Sequence, residues 1–424
     1  MSTFRWFSPV PARVTRSRIS LDFGLRAADL FFRELVVPEL GRVWFVRQLS
    51  WPLAALVLHE ELRQRAGALW RPTSVAHGLE ALACKLEYGA EDDDDRSERL
   101  LGRRAFGRDE DDVIWSFQRL CQVQHYVQNT HRQAATRTLQ TDGGLGLARG
   151  PRFDRLELEP AGRGLADAFL DQRVGQGGMS LRKWLLGWLA GERAAGDAVD
   201  SVQRALSPDH PSAAECELVR RRLFDTDTPG SERRRHLAKA VGRASEAPDI
   251  DEVVVPRLRE AGHRAQADDV VAARSFGAVL DRTRGAIAAM TFAIESTRVG
   301  EKASALATES GVRRALADLR SASKRFLEKA DVARVTEHTG RQYAQAVIQG
   351  ADVAVVMDLA RRGGELFSVG DGLVRHGSLY RILDGADDAE VEEDAESLEP
   401  DRTGRTFRIK NLHALLRDVH GVAP

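Results

Sequence analysis

Apolar residues along this chain recur mostly every three or four positions, the spacing that puts them on one side of an α-helix. Between Leu21 and Gln64, Leu25, Leu30, Phe31 and Leu35 predict one helix. Phe45, Leu49, Leu53 and Leu56 predict a second, with Leu58 and Leu62 beside it. Val75, Leu79, Leu82 and Leu86 place a third over 74–88, and Met179 to Leu189 (MSLRKWLLGWL) is strongly amphipathic with two tryptophans. Pro208, Pro211, Pro229 and Pro248 then divide 201–248 into short elements, because proline starts or ends a helix more readily than it continues one. Two longer runs come next. Ala273, Phe276, Leu280, Thr283, Ile287, Met290 and Ile294 form the first, and Val312, Leu316, Leu319, Ser323 and Phe326 the second, with Gly300 and Gly311 flanking the break. Their spacing, near 3.5, suits two long helices packed side by side, either as an internal hairpin, the simpler reading, or as a seam offered to a partner helix.

Strand patterns are few. After a helix over Gln345–Leu359, the stretch ELFSVGDGLVRHGSLYRIL alternates around Gly370 and Gly372 and predicts a small β-hairpin. Asp387 to Asp401 is acid-rich and nearly devoid of apolar residues, the composition of a tether. Beyond it, GRTFRIKNLHALLRDVHGV regains a short strand and an amphipathic helix, an element expected to dock on its own body or on a partner. The acidic run Glu91–Asp95 reads as a solvated loop in preference to a metal cluster, since consecutive acids rarely converge on one ion.

Composition narrows the function classes. With 424 residues and 43% hydrophobic content, the chain can fill two to four cores. No apolar run reaches the length of roughly 18 residues that a membrane span needs; Trp51 to Leu58 breaks off at His59-Glu60-Glu61. The N-terminus lacks the apolar stretch of a signal peptide. Cys84, Cys121 and Cys216 have no CxxC spacing, which points to a reducing cytoplasm and away from disulfides or zinc. The net charge of −1 confines any polyanion contact to a local patch. Arginine supplies most of the basic residues; it suits phosphate, but a GC-rich bacterial genome produces the same bias.

The stretch from Asn129 to Leu170 carries the most information. Asn129 or Thr130 can cap a helix starting at His131. His131, Ala135 and Leu139, with Thr138 beside them, form its thin buried side. Arg132, Gln133, Thr136, Arg137 and Gln140 share the other side, and no acid appears until Asp142. Guanidinium and amide groups so arranged are what a major-groove helix uses on base edges and phosphates. Gly143-Gly144 are expected to stop the helix. Leu145–Ala148 and Phe153–Leu158 then read as two short strands whose hairpin carries Arg149, Arg152 and Arg155, before a helix opened by Pro160-Ala-Gly162.

Helix, glycine turn, two-stranded wing and Pro-x-Gly helix resemble the winged-helix domain. Bacterial repressors of that superfamily read Leu-x-Leu-Thr-Pro-x-Gly-x-x-Leu at this junction. Here it stands as Leu156-Glu-Leu-Glu-Pro160-Ala-Gly162-Arg-Gly-Leu165, with Glu159 in the threonine position. The resemblance covers about 105–172, and the helix expected over Val113–Tyr126 departs from it by lacking a small-residue turn. It implies duplex DNA contact, with Arg132, Gln133, Thr136 and Arg137 in the groove and Arg149, Arg152 and Arg155 on phosphates.

The expected fold is therefore mainly α: multi-helical, with an embedded winged-helix (α+β) module and a long helical hairpin. Its divisions are a helical region over 1–104, the winged helix over 105–175, helices over 176–264, the hairpin over 265–335, a helix and β-hairpin over 336–384, the tether over 385–403 and the docking element over 404–424. This layout is loosely similar to kleisin-type partners of bacterial structural-maintenance ATPases. That likeness implies partner subunits, with ATPase or nuclease work on separate chains, or a homodimer. Winged helices in such machines also bind protein, which keeps a scaffold role open.

Catalytic signatures are missing. There is no GxxxxGK[ST], no HExxH, no paired His-x-Lys (His236 and Lys239 are three apart and unpartnered), and Glu80 and Lys85 belong to a helix and not to a nuclease core. His125 and His131 read as satisfied, half-buried imidazoles. No cofactor, metal or catalytic residue is expected, and an enzyme with a spatially assembled site is the third alternative.

Overall fold

A computed structural model describes residues 23–66, 70–89, 97–107, 115–175, 177–192, 200–242, 246–295, 300–378 and 407–420. They are mainly helical, with three small antiparallel sheets. The acidic run Glu91–Asp95, the acid-rich 387–401 and the first 22 residues lie outside the described residues.

The first core gathers around α2 (Arg47–Ala66), every residue of which from Trp51 to Leu58 is buried. This helix packs on α3 (Pro72–Tyr88), α6 (His131–Leu139) and α7 (Pro160–Leu170). Side-chain caps fix several of the helix starts. Thr130 caps α6, Ser180 caps α8 (Leu181–Leu189), and Thr228 caps α11 (Pro229–Val241), each accepting from the backbone N–H three residues on. Ser212 and Glu215 form a reciprocal capping box at α10 (Ala213–Phe224). One contiguous set of buried apolar side chains runs from Val36 to Val270 and takes in Ile409 to Val419 of the C-terminal helix.

That last helix, α18 (Phe407–His420), docks on the body of its own chain, against α10 and α11. Ile409, Leu412, Leu415, Leu416 and Val419 are buried there. Arg408 reaches Glu34 at 2.8 Å, and Asp418 accepts from Val46 N at 3.0 Å and from Arg99 at 2.8 Å. The helix already begins at Phe407, so Phe407–Lys410 are helical, and the part of the expected short strand before them lies outside the described residues.

The second core holds α13 (Arg264–Glu295) against α15 (Ser310–Val332), with Phe276, Ile287, Met290 and Ile294 facing the layer of Val312, Leu316, Leu319 and Phe326. Helix α1 (Arg26–Val36) crosses into it: Phe32 stacks on Phe276 at 4.7 Å and meets Phe326 edge-on at 5.5 Å. From Gly300 onward the connection between the long helices is structured. It holds β5 (Glu301–Lys302) and α14 (Ala303–Thr308), and Gly311 belongs to the first turn of α15 instead of the break. The hairpin read around Gly370–Gly372 is present as β6 (Phe367–Gly370) and β7 (Leu373–His376), with β5 added along β7.

The helix expected over Val113–Tyr126 is corrected. Residues 108–114 lie outside the described residues. From Trp115 the chain makes one helical turn, α5 (Phe117–Leu120), then a 3-10 turn at Val123–His125. Gln122 is extended, and Val123 stands 52% exposed, so the apolar residue that would hold a further turn to the core buries nothing. No helix among the described residues is long and apolar enough to cross a membrane.

Candidate nucleic-acid interface

The candidate surface is built on α6. Its buried side is His131, Ala134, Ala135, Thr138 and Leu139, as the spacing requires. The helix stops at Leu139, four residues before the glycines expected to end it. Gln140 turns extended, and the returning chain satisfies the last carbonyls: Leu145 N donates to Thr138 O at 2.7 Å and Leu147 N to Leu139 O at 2.8 Å. Glycine is needed at 144 for a different reason, close approach, since a Cβ there would lie 2.4 Å from Arg137 O. The strands are shorter than expected. Only β1 (Ala148–Arg149) and β2 (Glu157–Leu158) pair, and a 3-10 turn occupies Phe153–Arg155. Gln140 Nε2 ties the hairpin tip back by donating to Gly150 O at 2.7 Å. Pro160 takes the first position of α7, and Gly162 lets that helix touch the hairpin: a Cβ there would fall 1.9 Å from Leu147 O.

Seven side chains were the expected contact set, and they divide. Gln133 and Arg137 on α6, and Arg152 and Arg155 on the hairpin, are exposed. Among the described residues, Arg137, Arg152 and Arg155 have no carboxylate in ion-pair range. Arg149 is also exposed but sits 3.2 Å from Glu157, its partner directly across the ladder. Arg132 is half-buried, its guanidinium lying over the Phe153 ring at 5.1 Å, and burial lowers its pKa. Thr136 spends its hydroxyl on Arg132 O at 2.8 Å. The geometry thus brings four free polar groups to the surface and commits three.

Sequence reasoning missed what holds α6 in place. Glu80, on α3, is fully buried; its carboxylate accepts from the Tyr126 hydroxyl at 3.0 Å and from the backbone amides of His131 at 2.8 Å and Arg132 at 3.0 Å. It therefore caps the N-terminus of α6 from another helix, where its charge also meets the positive end of the helix dipole. Burial pushes this carboxyl up to about 7, against the downward pull of the three donors. His131 is held between Gln48 Nε2 at 3.0 Å and Arg99 O at 2.9 Å, and His77 faces the Tyr126 ring at 5.3 Å; burial drives both imidazoles down to about 4. A signal for Glu80 existed. It stands between Leu79 and Ala81 in a helix buried on several sides, and a buried charge must find donors.

Among the described residues, no group of three or more His, Cys, Asp or Glu side chains is placed to hold a metal ion, and the three cysteines are free. His236, read as unpartnered, stacks on His263 with ring centroids 3.5 Å apart. No family model matches the chain, and neither the curated proteins nor the solved structures give a match.

Proposed function

We propose that this chain is a non-enzymatic, DNA-associated subunit of a bacterial cytoplasmic multi-protein system, serving chromosome maintenance or anti-phage and anti-plasmid defence. It touches duplex DNA through a winged helix made of α6, the β1–β2 hairpin and α7, with α2 and α3 as backing helices. ATPase or nuclease chemistry belongs to partner chains. The observation that carries this reading is the trio Arg137, Arg152 and Arg155, exposed on α6 and the adjoining hairpin with no carboxylate partner among the described residues. Unpaired guanidinium groups on a helix and its neighbouring hairpin can track phosphates on either side of a groove.

Arg137→Ala combined with Arg155→Ala tests it. Both side chains are exposed, so the double variant should keep the wild-type circular dichroism and melting point. Its affinity for a duplex should fall at least tenfold. Unchanged affinity overturns the assignment.

One observation favours a second reading. Arg149 is neutralised by Glu157, and Arg132 packs on Phe153, so fewer cations face outward than a dedicated DNA reader offers. In that reading the module and α18 serve a scaffold that binds protein subunits, and duplex DNA is not retained even at low salt.

A further inference from the structure

Between α2, α7, α10 and the chain after α6 lies a cavity of about 200 Å³. Leu49 from α2, Leu165 from α7, Leu218 and Val219 from α10, and Leu145 and Leu147 from the chain after α6 form its walls. The polar groups at its rim already have partners. Arg222 donates through Nε to Leu145 O at 2.8 Å and through Nη2 to the same carbonyl, and Arg221 is held by Glu217 at 2.6 Å. A molecule entering the cavity therefore meets hydrocarbon and finds no free charge.

We infer that this cavity is a binding site for a small neutral aromatic molecule of toluene or xylene size, and that its occupancy steadies the last turn of α6. Size and chemistry select the ligand. A dry apolar cavity of about 150 Å³ takes up benzene, so a somewhat larger one has room for one or two further carbons. A carboxylate or phosphate ligand would lose its hydration without gaining a partner.

The link to α6 is short and runs through two backbone hydrogen bonds. Leu145 and Leu147 each put a side chain into the cavity wall and a backbone amide onto α6, at Thr138 O and Leu139 O. Filling the cavity packs both leucines and so restrains the turn that carries Arg137. The effect on DNA rests on the function proposed above; the binding does not.

Toluene is the probe, titrated into the full chain by calorimetry and followed by methyl NMR. One molecule should bind per chain, the methyl shifts should concentrate on Leu145, Leu147, Leu165 and Val219, and Ala161→Leu, which enlarges a further lining residue from α7 and so fills the cavity, should weaken binding at least tenfold. Absent shifts, scattered shifts, or a folded Ala161→Leu variant with wild-type affinity would overturn the site. If that variant does not fold, the wild-type shift map decides. Saturating toluene should change duplex affinity at least threefold. Bound toluene with unchanged duplex affinity overturns the link to α6. A chain that takes up toluene but retains no duplex leaves the site standing and removes the DNA function.

Discussion

Replacing Glu80 by glutamine keeps the shape of the side chain and removes its charge. In the folded chain the Glu80 carboxyl ionises near 7, against an ordinary 4.5. The folded state therefore binds a proton more readily than the unfolded chain over that interval. Glu80 favours the fold when protonated, and this contribution is lost as the pH rises from 4.5 through 7. The span amounts to about 3 kcal/mol. His77 and His131, brought down to about 4, act in the opposite sense: their contribution is complete above 6.5 and is lost as the pH falls toward 4. Both histidines are present in wild type and variant, so they cancel in the difference. Glutamine has one acceptor oxygen where the carboxylate has two, which leaves one of three donors poorly served and adds a nearly constant penalty of about 1–3 kcal/mol. Urea unfolding of both proteins at pH 5, 6, 7 and 8 isolates the titrating part. The stability of Glu80→Gln relative to wild type should rise by about 2–3 kcal/mol between the acidic and alkaline ends. A flat difference, or one that falls with pH, would refute the reasoning, because it would mean that the three donors outweigh burial.

Two further predictions concern the framework. Gly162→Ala should lose about 2–3 kcal/mol in thermal unfolding, because its Cβ has no room beside Leu147 O, whereas Gly164→Ala, with nothing within 4 Å, should gain about 0.5–1 kcal/mol; equal effects would deny the helix–hairpin contact. Arg47 is fully buried, 3.3 Å from Glu215 and 4.7 Å over the Phe169 ring, so Arg47→Met leaves the buried Glu215 carboxylate without its counter-charge and should cost about 3–5 kcal/mol in urea unfolding. A loss under about 1 kcal/mol would show that the pair is not holding α2 to α10.

Periodicity made α2, α3, α13 and α15 legible because apolar residues spaced every three or four positions are a local pattern. Turn chemistry did the same for the β6–β7 hairpin through Gly370 and Gly372. What escaped depends on partners distant in sequence. Arg47 draws no reading from the sequence, because its partner Glu215 comes to it only from α10. Glu80 reads as an ordinary helical acid until α6 presents its unbonded amides. The amphipathic α18 showed that it had an apolar side without showing that the receiving surface lies between α10 and α11. For the candidate surface, the residue types on α6 were readable and the fate of their charges was not. Arg149 faces Glu157 by the register of two paired residues, and Arg132 finds Phe153 through a 3-10 turn where a longer strand was expected.

The most direct measurement is the affinity of the intact chain for a fluorescent duplex across roughly 50 to 200 mM salt. With Arg137, Arg152 and Arg155 on phosphates, log affinity should fall against log salt with a slope of about −3. Absence of duplex binding at the lowest salt, or binding that ignores salt, would contradict the account and leave a scaffold for other proteins.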